Sequence, residues 1–531
     1  MGRRRDAAAA VGGGPRRRAR VHPPARRADR PWSLAAQHDR CRPGMIATVW
    51  IWAFLVVYTV GMIGLGLWTR RWIDDDEDFM VAGRGLSWPL QGIGMTAIIV
   101  AGTTGATVGA IGYASGYVAH WWITGWILAV LLGAFTIGPF ARRTGGVTLT
   151  EWFEANFDKR VRVVAGIALA MGLLFSPLAN ILGGGLILSG LMGISPESAV
   201  LILGVSGVVY LYLGGMWATV FSDIAQFALF AVALLGGTLW LVLRDGGIGM
   251  LSANLPPDFF NPLPHGRFAG IDWTAGSAFG LFFLMLCLTF GGTYWHRGAA
   301  ARSPREATKG WLLGVALALP FAIIMPLSGM YVRATGVSLD DPQQAFGVFI
   351  AELPPVAAGA MFAGIVAATM STVEVGVVAG VSVLFRDVVE RGSGRRFGAE
   401  QSVRWIRWLT VVYGVVAIFG GILLNRVSPG VGALVGIAFL SAFSAALLPS
   451  VFATMLGRRF CGKEASLLSI VAATLYTVYS LVSGTYAEVH PMFVAALIAT
   501  GVYVVVMVVV RVTGPWWGRG AHARRTTSAH P

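Results

Sequence analysis

The chain has 531 residues, of which 55% are hydrophobic and only 13% are charged, with a formal net charge of +15. This composition excludes an ordinary soluble domain and is typical of a protein that crosses a membrane many times. The three cysteines, Cys41, Cys287 and Cys461, are scattered and lack the spacing of metal ligands, so no cysteine chemistry is expected.

Residues 1–44 differ from everything that follows, because they are rich in Arg, Ala and Gly and contain no apolar run. This composition predicts a disordered basic tail. The next stretch, 46–69, has full spanning length and lacks a small-residue cleavage site, so it predicts a first transmembrane helix rather than a signal peptide. The alternative is that translation begins at Met45 and the tail is not made. A transmembrane domain is expected over 45–513, with a short basic cytoplasmic tail at 514–531.

Thirteen apolar stretches predict an all-α integral membrane protein. They cover roughly 46–69, 89–112, 121–140, 163–193, 199–215, 221–243, 276–295, 310–332, 356–385, 405–425, 430–456, 464–484 and 491–513. Most Lys and Arg outside the tail, including Arg297, fall in loops after odd-numbered spans, whereas the other loops hold only Arg244, Arg267, Arg333 and Arg426. The positive-inside bias therefore predicts a multi-pass protein of the cell membrane with its N-terminus outside and its C-terminus in the cytoplasm. A tail with twelve Arg on the outside would oppose this bias, which favours the start at Met45.

The second predicted span contains the residues least suited to a continuous membrane helix. Ala101 and Gly102 are followed by the hydroxyls of Thr103 and Thr104, and each glycine in a helix interior costs about 1 kcal/mol. A discontinuous helix at this point would free backbone carbonyls for an ion. The span is therefore a candidate for one side of an ion site.

Polar residues also interrupt the ninth span, where Ser371 and Thr372 are followed by Glu374. A charged side chain at the bilayer centre costs about 2.5–3.5 kcal/mol, so such residues usually line a polar path. Hydroxyl and carbonyl oxygens suit a hard cation such as sodium. The alternative is that the two hydroxyls only bond to carbonyls one turn earlier, as is common in membrane helices.

These segments, in their order along the chain, resemble the sodium:solute symporter family. The matching stretches are 78–86, 148–157, 212–226, 297–303 and 367–387. The resemblance implies a LeuT-type fold with an inverted repeat of five plus five helices, formed by spans 2–6 and 7–11. It also implies a secondary active transporter that couples uptake of a small organic solute to sodium by alternating access.

In the family's pattern, one sodium ion lies between the broken second span and the ninth span. The resemblance assigns it three backbone carbonyls and two hydroxyls, those of Ala97, Val100, Ala368, Ser371 and Thr372. This agrees with the carbonyls and paired hydroxyls that the residues themselves indicate. Some members carry an aspartate just before the break, whereas this chain has Ile98 and Ile99 there. Any role of that carboxylate is therefore absent.

The implied fold places the substrate cavity between spans 2, 4, 7 and 11. The polar and aromatic candidates on these spans are Thr103, Thr104, Asn180, Thr289, Phe290, Thr293, Tyr294, Ser441 and Ser444. Sugar-transporting members resemble one another in a Thr-Asn-Gln run on the seventh span, where this chain has Phe290, Gly291 and Gly292, which argues against a sugar. The alternative for each hydroxyl is that it only packs between helices and bonds to a backbone carbonyl of its own helix. Asn180 is the strongest candidate, because an amide in an apolar span needs partners.

Two intramembrane carboxylates, Asp223 and Glu374, predict a second cation or proton site. In some family members a further sodium lies between an aspartate at the position of Asp223 and small polar residues after the first serine. Two carboxylates in a low-dielectric site do not easily ionise together, so a cation bridges them or one keeps a proton. The alternative is that Asp223 caps a helix N-terminus and that Glu374 pairs with an Arg such as Arg386.

Other function classes have little support in the sequence. No cluster of His, Cys and carboxylates has metal-ligand spacing and no nucleophile motif is paired with a base, so an enzyme is not expected. No cofactor is expected beyond sodium as the coupling ion. The expected partners are a small solute, sodium and the lipid bilayer, with no nucleic acid. Proton-coupled uptake and a transporter-like membrane sensor are the alternatives, and the identity of the solute and the oligomeric state stay open.

Overall fold

The structure of the protein is a computed structural model. This structure describes residues 45–69, 71, 76–268, 271–272, 274–395, 397–485 and 490–512. The predicted tails, 1–44 and 514–531, lie outside these residues. The described part is almost entirely helical, and its only named strands are β1 (Arg267–Phe268) and β2 (Ile271–Asp272). They pair antiparallel, with Arg267 opposite Asp272.

The helices before the strands form the first half of the chain. They are α1 Met45–Thr69, α2 Asp76–Val81, α3 Trp88–Ile99, α4 Gly102–Ser115, α5 His120–Phe135, α6 Ile137–Thr144, α7 Leu149–Asn156, α8 Lys159–Met192, α9 Pro196–Ala231, α10 Gly237–Arg244 and α11 Gly247–Asn254. A π-helical stretch, Val232–Gly236, joins α9 to α10. Short 3-10 turns lie at Ala82–Arg84, Gly116–Ala119 and Pro257–Phe260.

The helices after the strands form the second half. They are α12 Ala275–Thr289, α13 Gly292–Ala299, α14 Pro304–Ile324, α15 Pro326–Ala334, α16 Ala345–Ala351, α17 Pro355–Val383, α18 Arg391–Ser393, α19 Ala399–Val427, α20 Gly432–Ala445, α21 Leu448–Leu456, α22 Lys463–Ser483 and α23 Pro491–Val512. A π-helical stretch, Leu384–Glu390, extends α17. Short 3-10 turns lie at Pro342–Gln344 and Arg458–Phe460.

Among the described residues, nine helical stretches are long and apolar enough to cross a membrane, or ten if the bent pair α20–α21 counts as one span. The predicted all-α, multi-pass class is confirmed, whereas the count of thirteen spans stays a prediction. One reason is that the second predicted span is divided into α3 and α4, and the seventh into α12 and α13. Another is that the predicted division between spans five and six, near residue 220, lies inside the helical assignment of α9.

Two helix breaks dominate the centre of the fold. After α3, Val100 has φ −108° and ψ 67° and Ala101 has φ −103° and ψ −177°, so neither continues the helix. After α12, Gly291 is extended, with φ −86° and ψ −179°. The predicted discontinuity of the second span is therefore present, and a second one occurs in the seventh span. Both breaks leave backbone groups without helical partners in the interior.

The core surrounds α17, which is buried along most of its length. It packs against α8, α9 and α1, while α3 packs against α14 and α20 packs against α8. Close approach between α4 and α17 depends on Gly102, because a Cβ at that position would lie 2.3 Å from Thr369 Oγ1. The break at residue 101 is therefore held against the middle of α17.

At the far end of α17, a buried carboxylate ties three elements together. Asp387, in the π-helical extension, accepts hydrogen bonds from the hydroxyls of Thr148 and Thr150 at the start of α7. It also accepts one from Nε of Arg162 on α8 at 2.7 Å. Asp387 is fully buried, so these donors satisfy a charge that water does not reach.

Candidate ion and solute sites

The predicted sodium ligands meet where α17 crosses the break after α3. Thr372 Oγ1 donates to the carbonyl of Ala97 at 3.2 Å and lies 3.4 Å from the carbonyl of Ala368. Ser371 Oγ donates to the carbonyl of Ala368 at 3.0 Å. Val100 lies in the break itself. The structure therefore links four of the five residues by direct contacts and places Val100 in the adjoining break.

The sequence left two roles open for these hydroxyls, which are ion binding and bonding only to carbonyls of their own helix. Ser371 bonds only to its own helix in the described contacts, as the packing alternative requires. Thr372 also reaches another helix, and Ala97 lies 275 positions earlier in the chain. Both side chains are buried, and their oxygens and the neighbouring carbonyls are neutral, hard donors. The arrangement can bind a small hard cation through oxygen alone.

Asp223 forms a buried ion pair that the sequence analysis did not anticipate. Its Oδ2 accepts from Nη2 of Arg297 at 2.7 Å, and the two side chains are 1% and 0% exposed. Arg297 was expected in a loop, and the structure corrects this by placing it inside α13. A Cβ on Gly94 of α3 would lie 2.3 Å from Arg297 Nη1, so the glycine leaves room for the guanidinium.

The sequence also offered structural roles for the two carboxylates, namely helix capping by Asp223 and an ion pair between Glu374 and Arg386. Asp223 lies well inside α9, so it does not cap a helix N-terminus. Arg386, the suggested partner of Glu374, donates to Oε1 of Glu151 at 3.1 Å. Glu374 itself is buried on α17, one turn after Ser371. A shared cation between Asp223 and Glu374 stays a prediction.

A small cavity of about 30 Å³ lies beside the predicted ion site. Five of the nine candidate substrate residues line it, namely Thr103, Thr104, Asn180, Tyr294 and Ser444. Thr372 lines it too, so one side chain faces both the cavity and the Ala97 carbonyl. The candidate ion ligands and the candidate solute cavity are therefore adjacent.

The remaining candidates are placed elsewhere. Thr289 bonds to the carbonyl of Met285 and lies against Gly133 of α5. Phe290 packs against Phe452, with ring centroids 5.2 Å apart. Ser441 bonds to the carbonyl of its own helix at Ile437 and is not among the cavity-lining residues.

The side chain of Thr293 lies outside the part of the chain that the structure describes.

The cavity also has a wall that the sequence analysis missed, formed by α5. Trp122 and Trp126 line it from this helix, whereas the expected spans were 2, 4, 7 and 11. The apolar part of the lining comes mainly from other helices and includes Ile98, Leu173, Leu288, Ile437 and Leu440. Two tryptophans four residues apart lie on one helix face, a spacing that could have indicated an aromatic wall.

Hydrogen bonds within the lining fix several of its polar groups. Asn180 Oδ1 accepts from the hydroxyl of Thr103 at 2.8 Å and from its backbone N–H at 3.3 Å. Thr104 Oγ1 donates to the carbonyl of Ile99 and accepts from Nε1 of Trp122. Ser444 donates to the carbonyl of Leu440. The predicted need of Asn180 for partners is thus met by Thr103, just after the α3–α4 break.

This fold, with broken helices in its interior and candidate ion ligands beside a cavity, is typical of a secondary transporter. The model of the sodium:solute symporter family matches residues 79–472. The chain therefore belongs to the sodium:solute symporter family, and it is a sodium-coupled transporter of a small solute.

Two curated relatives match over most of their length. A sodium/glucose cotransporter of Vibrio parahaemolyticus is 24% identical over 476 residues, which cover 80% of this chain and 83% of the relative. A sodium/pantothenate symporter of Escherichia coli is 22% identical, with 84% and 93% covered. The names of these two relatives specify different solutes.

Solved structures support the fold. A Na+-coupled sialic acid symporter in a substrate-bound outward-open state aligns with a TM-score of 0.71 at 19% identity, covering 87% of this chain and 98% of that one. Mhp1, a nucleobase-cation-symport-1 family transporter, aligns with a TM-score of 0.51 at 15% identity, covering 82% and 95%. These likenesses bear on the architecture alone.

Proposed function

We propose that the sodium gradient drives solute uptake through an ion site formed by Ala97, Val100, Ala368, Ser371 and Thr372. The observation that carries the proposal is the position of Thr372. Its hydroxyl contacts the Ala97 carbonyl across the helix break at 3.2 Å, and the same residue lines the solute cavity. An ion bound there holds α3 against α17 and completes one wall of the cavity.

Alternating access follows from this arrangement. With sodium bound, oxygens from both helices are held at one point, so the cavity wall is preorganised for the solute. When the ion leaves toward the low-sodium side, that link is lost and the repeat helices rock around the cavity. One charge gains about 2.3 kcal/mol per 100 mV, and each tenfold sodium gradient adds about 1.4 kcal/mol. One sodium ion therefore supports accumulation on the order of several hundred-fold.

Uptake into proteoliposomes tests this assignment. A panel of labelled solutes is offered to the purified protein with an inward sodium gradient, and again with potassium replacing sodium. Thr372→Ala and Ser371→Ala are expected to raise the sodium concentration for half-maximal uptake about tenfold, with solute affinity at saturating sodium changed less, because each removes a neutral oxygen ligand.

Ser382→Ala is the matched control. Ser382 is buried on the same helix and bonds to the Val378 carbonyl, but it lies away from the break. Its loss should leave the sodium dependence as in the wild type. An unchanged sodium dependence in both Ser371→Ala and Thr372→Ala would refute the assignment of the site.

Proton coupling is the second candidate, and the burial of Glu374 one turn beyond Ser371 favours considering it. Asp223 and Glu374 form the proposed second cation or proton site. In the same vesicles, a pH gradient imposed without sodium distinguishes the two coupling ions. Uptake driven by the pH gradient alone would replace sodium with protons in this proposal.

The topology belongs to the proposal as well. The basic residues in alternate loops support an N-terminus outside and a C-terminus in the cytoplasm, in the cell membrane. A cysteine introduced at the exposed Asp340 should then be labelled by a membrane-impermeant maleimide in intact cells, whereas one at the exposed Arg143 should be labelled only after permeabilisation. Labelling of both from one side would contradict the drafted orientation.

A further inference from the structure

We propose that the cavity binds a small organic monocarboxylate, with its carboxylate at Trp126 and Tyr294 and its apolar body against the aliphatic wall. This inference rests on the proposed function, since it names the solute class of the same cavity. It is carried by the hydrogen-bonding groups that the protein leaves unused there, by the helix ends at the cavity and by the absence of charge in its lining.

Two strong donors in the lining are unused. The indole Nε1 of Trp126 and the phenol oxygen of Tyr294 are buried and have no hydrogen-bond partner in the described part of the chain. The residues are 6% and 2% exposed, and their rings lie 5.9 Å apart. An indole N–H can only donate, and a buried donor without an acceptor costs about 1–3 kcal/mol. Both groups therefore need an acceptor, and a bound solute supplies it.

Three threonine hydroxyls in the lining already donate within the protein. Thr103 donates to Asn180, Thr104 to Ile99, and Thr372 to Ala97. Their oxygens keep some capacity to accept, but they carry no negative charge. The buried lining donors without a partner in the described part of the chain are Trp126 and Tyr294, and they favour a solute rich in acceptor oxygens.

Two helix N-termini reach the same cavity. Helix α4 begins at Gly102 after Ala101, and α13 begins at Gly292 after Gly291, and three of these residues line the cavity. In neither helix does the side chain of the N-cap residue form a cap, although Asn180 Oδ1 accepts from the Thr103 N–H of α4 at 3.3 Å. The first N–H groups that lack such an acceptor and the positive end of the helix dipole favour an anion. The helix N-termini therefore favour a bound anion, as do the indole of Trp126 and the phenol of Tyr294.

The charge of the lining supports the same class. The lining residues that the structure describes include no Asp, Glu, Lys, Arg or His. A solute ammonium group would therefore find no carboxylate in the cavity, whereas a single carboxylate finds donors and a neighbouring sodium ion at Thr372. Glu374 and the Asp223–Arg297 pair lie nearby but do not line the cavity.

The apolar part of the lining determines the rest of the solute. Ile98, Leu173, Leu288, Ile437 and Leu440 form an aliphatic wall. Burying apolar area against such a wall contributes about 25 cal/mol per Å². An inorganic anion gains nothing from it, and a second carboxylate on the solute would be placed against it. The geometry favours a monocarboxylate with a hydrocarbon body.

Labelled butyrate and benzoate test the class in the same proteoliposomes under an inward sodium gradient. We expect sodium-dependent uptake of at least one of them. Butyramide and benzamide, which have the same shape without the charge, should compete about 10- to 100-fold more weakly, since a hydrogen bond to a charged group is worth more than one to a neutral group. Succinate, 2-aminobutyrate and iodide complete the panel.

Two indole variants provide a matched comparison. Trp126→Phe removes an unused donor, whereas Trp122→Phe removes one that is already bonded to Thr104 at 3.2 Å. Trp126→Phe and Tyr294→Phe should lower the acid-to-amide selectivity about tenfold or more, and Trp122→Phe should affect acid and amide alike. A sodium-dependent shift in melting temperature, measured without solute, verifies that each variant is folded with its ion site intact.

Each outcome is decisive for one of the two proposals. Sodium-driven uptake of an amide, an amino acid or iodide, with no monocarboxylate taken up, overturns the solute class and leaves the symport function standing. Equal acid-to-amide selectivity in Trp126→Phe, Tyr294→Phe and the wild type overturns the assigned donors. Absence of sodium-dependent uptake for every solute in both panels counts against the proposed function itself.

Discussion

The buried pair between Asp223 and Arg297 allows a quantitative prediction about stability. Asp223→Asn keeps the shape of the side chain but leaves the guanidinium without its charged partner. Both side chains are inaccessible to solvent and their nearest atoms are 2.7 Å apart. Two unit charges about 4 Å apart attract by about 4 kcal/mol at an effective dielectric of 20, and breaking a buried pair costs about 3–5 kcal/mol. The free energy of unfolding should fall by about that amount.

In the Asp223→Asn variant, Arg297 would lose its main hydrogen-bond acceptor. Its Nε and Nη1 have no hydrogen-bond partner in the described part of the chain, so Asp223 supplies its main acceptor. The double variant Asp223→Asn with Arg297→Met should recover most of the loss, because it removes the uncompensated charge and keeps an apolar side chain of similar length. If the loss came only from a packing defect, the losses in unfolding free energy of the two single variants would instead add in the double variant.

The assay is reversible unfolding in mixed micelles, followed by tryptophan fluorescence, with the single and double variants compared. The control is Glu197→Gln, which breaks the Arg426–Glu197 pair, whose side chains are 66% and 38% exposed. Exposed pairs contribute about 0–1 kcal/mol, so this variant should remain close to the wild type. If Asp223→Asn costs no more than Glu197→Gln, the buried pair does not stabilise the fold and the reasoning is wrong.

Two further substitutions test the contacts that hold the helix break and the end of α17. Gly102→Ala should destabilise the protein by about 1–3 kcal/mol and reduce uptake, because its Cβ would lie 2.3 Å from Thr369 Oγ1, and adding Thr369→Ala should restore part of the loss. Full activity and stability in Gly102→Ala would show that α4 does not need this approach. Asp387→Asn should lower stability by about 1–3 kcal/mol in the same unfolding assay, because Arg162 would lose one buried carboxylate partner while keeping Glu154 at 3.0 Å. A wild-type unfolding curve for Asp387→Asn would contradict that role.

The sequence predicted the first helix break because its cause is local. Ala101 and Gly102, followed by two threonines, disfavour a continuous helix, and the break lies at that place. The same holds for the fold class, since the apolar runs alone require membrane helices. The break at Gly291 was not predicted, although Gly291 and Gly292 are adjacent in the sequence. Two glycines in an apolar run are equally typical of close helix packing, and only tertiary contacts distinguish the two outcomes.

The cavity shows where local reasoning fails. Tyr294 and Asn180 were predicted from their polarity, but Trp122 and Trp126 were not, because α5 is uniformly apolar and looks like a helix that faces lipid. Whether an indole N–H is used depends on a partner from another helix, as with Trp122 and Thr104. That information is not contained in periodicity or composition. The substrate-selecting residues are consequently harder to predict than the ion ligands.

Arg297 changes what the second cation site requires. The sequence counted two intramembrane carboxylates, Asp223 and Glu374, and treated Arg297 as a loop residue. With the guanidinium paired to Oδ2 of Asp223, the three groups together carry one net negative charge when all are ionised, rather than two. A single monovalent cation would then balance the net charge of these three groups, and Oδ1 of Asp223, which has no partner in the described part of the chain, would be a candidate ligand for it. A bridge between two bare carboxylates is therefore unnecessary, and the second site, if formed, depends on Arg297 as much as on Glu374.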